Sequence, residues 1–94
     1  MIKHIVFWKL KEENKEENMM KIKNGLEGLV GQIDGLLHAE VGVNYNGGEY
    51  DLCLYSEYRD REALLYYRDH EKHKEVQKIV HAAMTERAAV DFEA

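Results

Sequence analysis

The sequence predicts an α+β fold, with elements in the order β-α-β-β-α-β forming a four-stranded antiparallel sheet with two helices on one face. Three observations carry that prediction. The chain opens on a dense run of β-branched and aromatic residues from Ile2 to Leu10. Two later stretches repeat apolar residues at helical spacings of three and four, and Asn46-Gly47-Gly48 separates two segments of strand character.

In the first strand, Ile2, His4, Val6, Trp8 and Leu10 project to one side, and Ile5 and Phe7 project to the other between Lys3 and Lys9. A strand with apolar residues on both faces is expected to be covered on both. From Asn14 to Ile33, the positions Met19, Ile22, Leu26, Leu29, Val30 and Ile33 define one face of an amphipathic helix. Gly25, Gly28 and Gly31 weaken its second half by roughly 1 kcal/mol each relative to alanine, while offering a smooth surface for close packing. Asp34-Gly35 reads as a turn, and Leu37 to Asn44 as a half-exposed strand with Leu37, Ala39, Val41 and Val43 sharing a face. Tyr50 to Tyr58 should pair with it antiparallel. Asp60 is placed to cap one interrupted helix that carries Ala63, Leu64, Tyr67, Val76, Ile79, Val80, Ala83 and Met84, kinked at the polar stretch Asp69 to Lys72. Ala88, Val90 and Phe92 alternate with Arg87, Ala89 and Asp91 in a closing strand over Glu86 to Glu93.

This order is the ferredoxin-like, split βαβ arrangement. Right-handed crossovers place the first and third strands at the centre of the sheet and leave one face without helices. Ile5 and Phe7 would form an apolar patch there, and the simplest closed way to cover it is a two-fold homodimer with its sheets facing each other as a shared barrel.

The 94 residues make a single domain, 1–94, of a size that buries only roughly 60 to 65% of its unfolded surface and gains from subunit contacts. With 13 basic residues against 18 acidic ones, the formal charge is -5 and no basic stripe is visible, which argues against nucleic acid as a partner. The longest apolar run, near Ile5 to Trp8, is far short of a membrane span of about 20 residues, so no membrane partner is expected and a cytoplasmic location is. Cys53, alone and flanked by Leu52 and Leu54, reads as a strand thiol. A nucleotide site at the three glycines is not expected, because they lie inside a helical period and lack the strand-to-helix setting of a phosphate loop, and no cofactor is expected.

Three segments together, Ile2-Lys3-His4-Ile5-Val6-Phe7-Trp8-Lys9-Leu10, Tyr50-Asp51-Leu52-Cys53-Leu54 and Tyr67-Arg68-Asp69-His70-Glu71-Lys72-His73, resemble the stress-responsive dimeric α/β-barrel (Dabb) domain family over nearly the whole chain. Glu71 stands where that family usually has proline. The resemblance implies a homodimeric barrel with a small cavity between helices and sheet in each subunit. It implies no single activity: some members resemble polyketide cyclases, and the chain is distantly similar to olivetolic acid cyclase, while many others are stress-induced or uncharacterised proteins. Carried over by position, His73 would be the base, Tyr67 its hydroxyl partner and His4 a further polar group of the pocket, with His70 the second histidine of the segment. Trp8, on the same face as His4, joins His70 as a binding candidate.

The chemistry of these residues leaves alternatives open. His4 is either a neutral core histidine bonded to a backbone or tyrosine oxygen, or a group that orients a ligand or moves a proton. Tyr67, His70 and His73 would share a helical face as a Tyr-His-His edge, with an imidazole suited to proton abstraction and a phenol suited to donating to a carbonyl oxygen. The alternative is a solvated helix break kept wet by Glu71, Lys72 and Lys74. A metal bound by His70, His73 and His4 is the weakest reading, since no recognised ligand spacing is present. His38 and His81 read as surface residues, and Tyr45, Tyr50, Tyr55, Tyr58 and Tyr66 as sheet and interface packing. The leading function is therefore a homodimer with a small-molecule pocket and polyketide-cyclase-like proton-transfer chemistry, and the rival is a noncatalytic dimeric stress or accessory protein.

Overall fold

The computed structural model describes residues 1–94. Its elements run β1 (Ile2–Leu10), α1 (Lys15–Glu27), β2 (Leu36–Val43), β3 (Leu52–Tyr58), α2 (Arg61–Asp69), α3 (Glu71–Ala83) and β4 (Met84–Glu93). The strands form one sheet in the order β2-β3-β1-β4 with every pair antiparallel, so β1 and β3 are central. No helix is long and apolar enough to cross a membrane.

β1 alternates strictly: Ile2, His4, Val6, Trp8 and Leu10 are buried, while Phe7 is 41% exposed and Lys3, Ile5 and Lys9 lie at least partly open. β3 follows with Leu52, Leu54, Ser56 and Tyr58 inward. These side chains meet Ile22 and Leu26 of α1, Ala63, Leu64 and Tyr67 of α2, and Val76, Val80 and Ala83 of α3 in one core. The opposite face carries Ile5, Phe7, Cys53, Tyr55, Val90 and Phe92 and has no helix over it.

Four expectations change. The first helix ends at Glu27, six residues short of Ile33, because the chain leaves helical geometry at the glycines and Gly31 takes φ +86°. Leu29 and Ile33 still reach the core from turns. Gly25 stays inside α1 and provides the close packing expected of it, since a Cβ there would lie 3.0 Å from Val76 of α3. In β2 the register shifts between Leu36 and His38, so Leu36 is buried and Leu37 is half-exposed instead of sharing the inner face with Ala39 and Val41.

The interrupted second helix is two helices. Asp60 caps α2 by accepting from the Ala63 N–H at 2.8 Å, as expected. His70 is extended (φ -69°, ψ 136°), and its Nδ1 caps α3 by accepting from the Lys72 N–H at 3.1 Å. A histidine side chain thus starts the second helix with no proline nearby. β4 begins at Met84, directly after α3 and two residues earlier than the alternation suggested, with a register shift opposite Lys9 and Leu10 absorbing the sharp change of direction.

Gly35 takes φ +87°, and a Cβ there would sit 2.6 Å from that of Ala63, while Gly31 at φ +86° has open space around it. Gly31→Ala should therefore cost only the left-handed backbone penalty of about 1 kcal/mol, and Gly35→Ala about 2 to 4 kcal/mol, as clash adds to strain. Urea midpoints of the two variants check the difference.

Candidate functional site

A cavity of about 180 Å³ lies between the sheet and the helices. β1 contributes His4, Val6 and Trp8 to its lining, β3 Leu54 and α1 Leu26; α2 supplies Tyr67 and Arg68, α3 His73, Gln77, Val80 and His81, and β4 Arg87. A larger hollow of about 420 Å³ opens on the helix-free face beside the β2–β3 loop. That hollow has no histidine and no cation among its lining residues, so the convergent polar groups single out the smaller cavity.

The break at His70 shapes the site. Where α2 ends, its last carbonyls lose their helical partners. The His70 N–H takes the Tyr67 carbonyl at 3.2 Å, and the Arg68 carbonyl accepts from His73 Nδ1, also at 3.2 Å. This bond sets the tautomer: Nδ1 carries the proton, and Nε2 keeps its lone pair with no hydrogen bond to the protein. The His73 ring lies against Tyr67, with centroids 4.1 Å apart and planes tilted by 31°. Burial is the main cause that holds His73 below its ordinary pKa, with the Arg68 carbonyl opposing and nearby His4 assisting. Burial likewise pushes the Tyr67 phenol up to about 12, so it remains a donor at neutral pH.

His4 is 6% exposed and stands opposite Asp91 across the β1–β4 ladder. Its Nδ1 donates to Asp91 Oδ1, while Asp91 Oδ2 accepts from Arg68 Nη2 at 2.8 Å. The partner of this buried histidine is thus a carboxylate, neither of the two oxygens anticipated. Orientation by a carboxylate leaves Nε2 of His4 as its unbonded ring nitrogen. Trp8 Nε1 and the Tyr58 hydroxyl are buried without a partner. The Tyr58 ring lies 5.0 Å from that of Tyr67 and 6.2 Å from that of His4, and burial raises its pKa further than that of Tyr67.

The structure thus brings together His4, Trp8, Tyr67 and His73, and leaves out His70. The extended backbone at His70 turns its ring edge-on to Tyr66 at 5.5 Å, and its Nδ1 is used as a cap, so the Tyr-His-His edge does not form. A three-imidazole metal set is not assembled either, since no group of three or more histidine, cysteine or acidic side chains is placed to hold an ion. Asp91, Arg68, Gln77, His81 and Arg87 were missed. His81, read as a surface residue, is exposed and yet stands at the cavity rim. Its signal was the i, i+4, i+8 series His73, Gln77, His81 on one helix face. Asp91 and Arg87 lie at alternate positions of the last strand, and only the pairing register shows which neighbours they meet.

The sequence profile described as Stress responsive A/B Barrel Domain (Dabb) matches residues 2–94. The chain belongs to this family. Among solved structures, this Dabb domain is similar to one from Bacteroides fragilis, described as a dimeric protein of unknown function with a ferredoxin-like fold. The two are 34% identical with a TM-score of 0.92, over 99% of this chain and 95% of that one. A dimeric ferredoxin-like protein from Jannaschia is 22% identical with a TM-score of 0.88, over 99% and 98% of the two chains. An antibiotic biosynthesis monooxygenase shares the fold at 19% identity and a TM-score of 0.82, over 100% and 98%. No curated protein sequence matches this Dabb domain significantly.

The lowered pKa of His73 has a defined sign. The unfolded chain takes up the proton first as pH falls below the ordinary 6.5, so stability is full above that value and declines as pH falls toward the folded value. Glu27, held low by Lys23 and the Val41 N–H, contributes stability that is lost only below its ordinary 4.5. Melting temperatures followed between these two values should fall in wild type. In His73→Asn, which keeps a side-chain donor for the Arg68 carbonyl, the decline should be reduced.

Proposed function

We propose that this Dabb domain works as a homodimer whose cavity binds a small carbonyl-bearing molecule and moves a proton on it. The observation that carries this is the state of His73: its Nδ1–H is committed to the Arg68 carbonyl, and its Nε2 lone pair is free at a cavity that Tyr67 also lines. Nε2 removes a proton from the carbon next to the carbonyl, and the electron pair moves onto the carbonyl oxygen. The Tyr67 hydroxyl donates to that oxygen as its charge grows, and the imidazolium returns the proton at the end of the cycle. His4, fixed by Asp91 and through it by Arg68, orients the bound molecule. Burial keeps His73 unprotonated and Tyr67 protonated at neutral pH, the states these roles require.

Deuterium exchange into a panel of small 1,3-dicarbonyl compounds, followed by NMR, tests the chemistry. His73→Ala should slow exchange by about 100-fold or more, and Tyr67→Phe by a similar factor at almost unchanged volume. Exchange by wild type no faster than by His73→Ala across the panel would refute the catalytic role.

The homodimer is supported by the helix-free face and by the dimeric Bacteroides fragilis relative. Val90 is 62% exposed, Phe92 44% and Phe7 41%, and with Ile5 they line up across β1 and β4. Each such side chain contributes about 1.5 to 3 kcal/mol when fully buried, enough for a few of them to sustain association. Val90→Lys should shift sedimentation from dimer to monomer at micromolar concentration, and a monomeric wild type would sink the assembly.

A further inference from the structure

We infer that the molecule taken by this cavity is a small organic acid, whose carboxylate pairs with Arg87 at the rim and whose apolar body lies between Val6, Leu54 and Val80. The inference rests on the reading of the cavity as a small-molecule site and specifies the class of molecule. It starts from a charge imbalance. The chain carries a net -5, with 18 acidic residues against 13 basic, yet no acidic residue lines the cavity, whereas two arginines do.

The four arginines are not equivalent. Arg59 and Arg61 each pair with carboxylates on the surface, and Arg68 is held by Asp91 at 2.8 Å. Arg87 has no carboxylate partner and lines the cavity with its cross-strand neighbour Trp8. A guanidinium presents a planar fork of donors that matches a carboxylate in a bidentate pair. Such a pair is stronger at the edge of an apolar cavity than in bulk water. His81, one turn beyond Gln77 on α3, stands at the same rim.

The lining divides by depth. Val6, Leu54, Leu26 and Val80 are 1 to 3% exposed, whereas Arg68, Arg87 and His81 are open to solvent. An occupant with an apolar end and an anionic end fits that division. For size, a cavity of about 150 Å³ accepts benzene. The 180 Å³ here suits a single ring or short branched chain bearing one carboxylate.

Benzoate and its neutral isostere benzamide distinguish the charge from the shape. Trp8 is the only tryptophan, so its indole resonance in labelled protein reports on the cavity wall directly. Benzoate should shift that signal saturably and bind about tenfold or more tightly than benzamide, the scale of one charge-assisted contact. Arg87→Gln, at an exposed position, should weaken benzoate about tenfold and leave benzamide unchanged, and added salt should weaken benzoate alone. Equal affinity for the two probes, or an Arg87→Gln variant that binds benzoate as wild type does, overturns the organic-acid assignment and leaves the small-molecule cavity standing. If neither probe shifts Trp8 or any other cavity resonance, the small-molecule reading falls with it.

Discussion

β1 is hydrogen-bonded along both edges, to β3 on one side and β4 on the other, so its side chains can leave only through the two faces of the sheet. The period of two divides them without exception. Ile2, Val6, Trp8 and Leu10 enter the core, and His4 enters with them as a polar group that cannot be moved to solvent without reversing the whole strand. Ile5 and Phe7 are sent to the other face by the same rule. The site and the apolar surface opposite it are thus two outcomes of one alternation, and a register slip would destroy both together.

Burying His4 imposes a second requirement, because a polar side chain in an apolar layer needs a partner. The antiparallel ladder answers it by setting Asp91 directly across from His4. Asp91 in turn sits partly buried and draws Arg68 across from α2. Strand and helix are therefore connected by polar bonds at the same end of the molecule where Tyr67 and His73 meet. Removing one member leaves the others unsatisfied, so the three act as a unit rather than as separate contacts.

A single extended residue between two helices does the rest. Had α2 continued through His70, the Arg68 carbonyl would have been consumed by an ordinary helical bond, and His73 would have had no fixed acceptor. The break frees that carbonyl, sets the imidazole tautomer, and uses the His70 ring as the cap that restarts the helix. Glu71 at the first position of α3 does not prevent this, since the His70 cap starts the helix without a rigid ring to fix φ there.

Much of this was legible in the residues. Strand alternation identified β1 with its two faces, helical spacing identified α1 and the α2–α3 region, Asp60 marked a helix start, and the order of elements led to the sheet topology. These are local signals, because they depend on periods of two and 3.6 within one segment. His4, Tyr67 and His73 could be singled out because their residue types are rare on apolar faces or clustered in sequence. The length of α1 and the face of Leu37 were misjudged, since a glycine leaving the helix and a bulge in a strand are settled by what packs against them. Asp91, Arg68 and Arg87 could not be joined to His4 and Trp8 by any reading of the chain, for they lie on the last strand and on α2, and only the β1–β4 register and the helix break bring them into reach. The sequence by itself determined which residues of β1 face inward and which outward; the tertiary structure decided which inward residues touch, because contacts between distant segments depend on register and on the orientation of whole elements, neither of which is encoded in a local period.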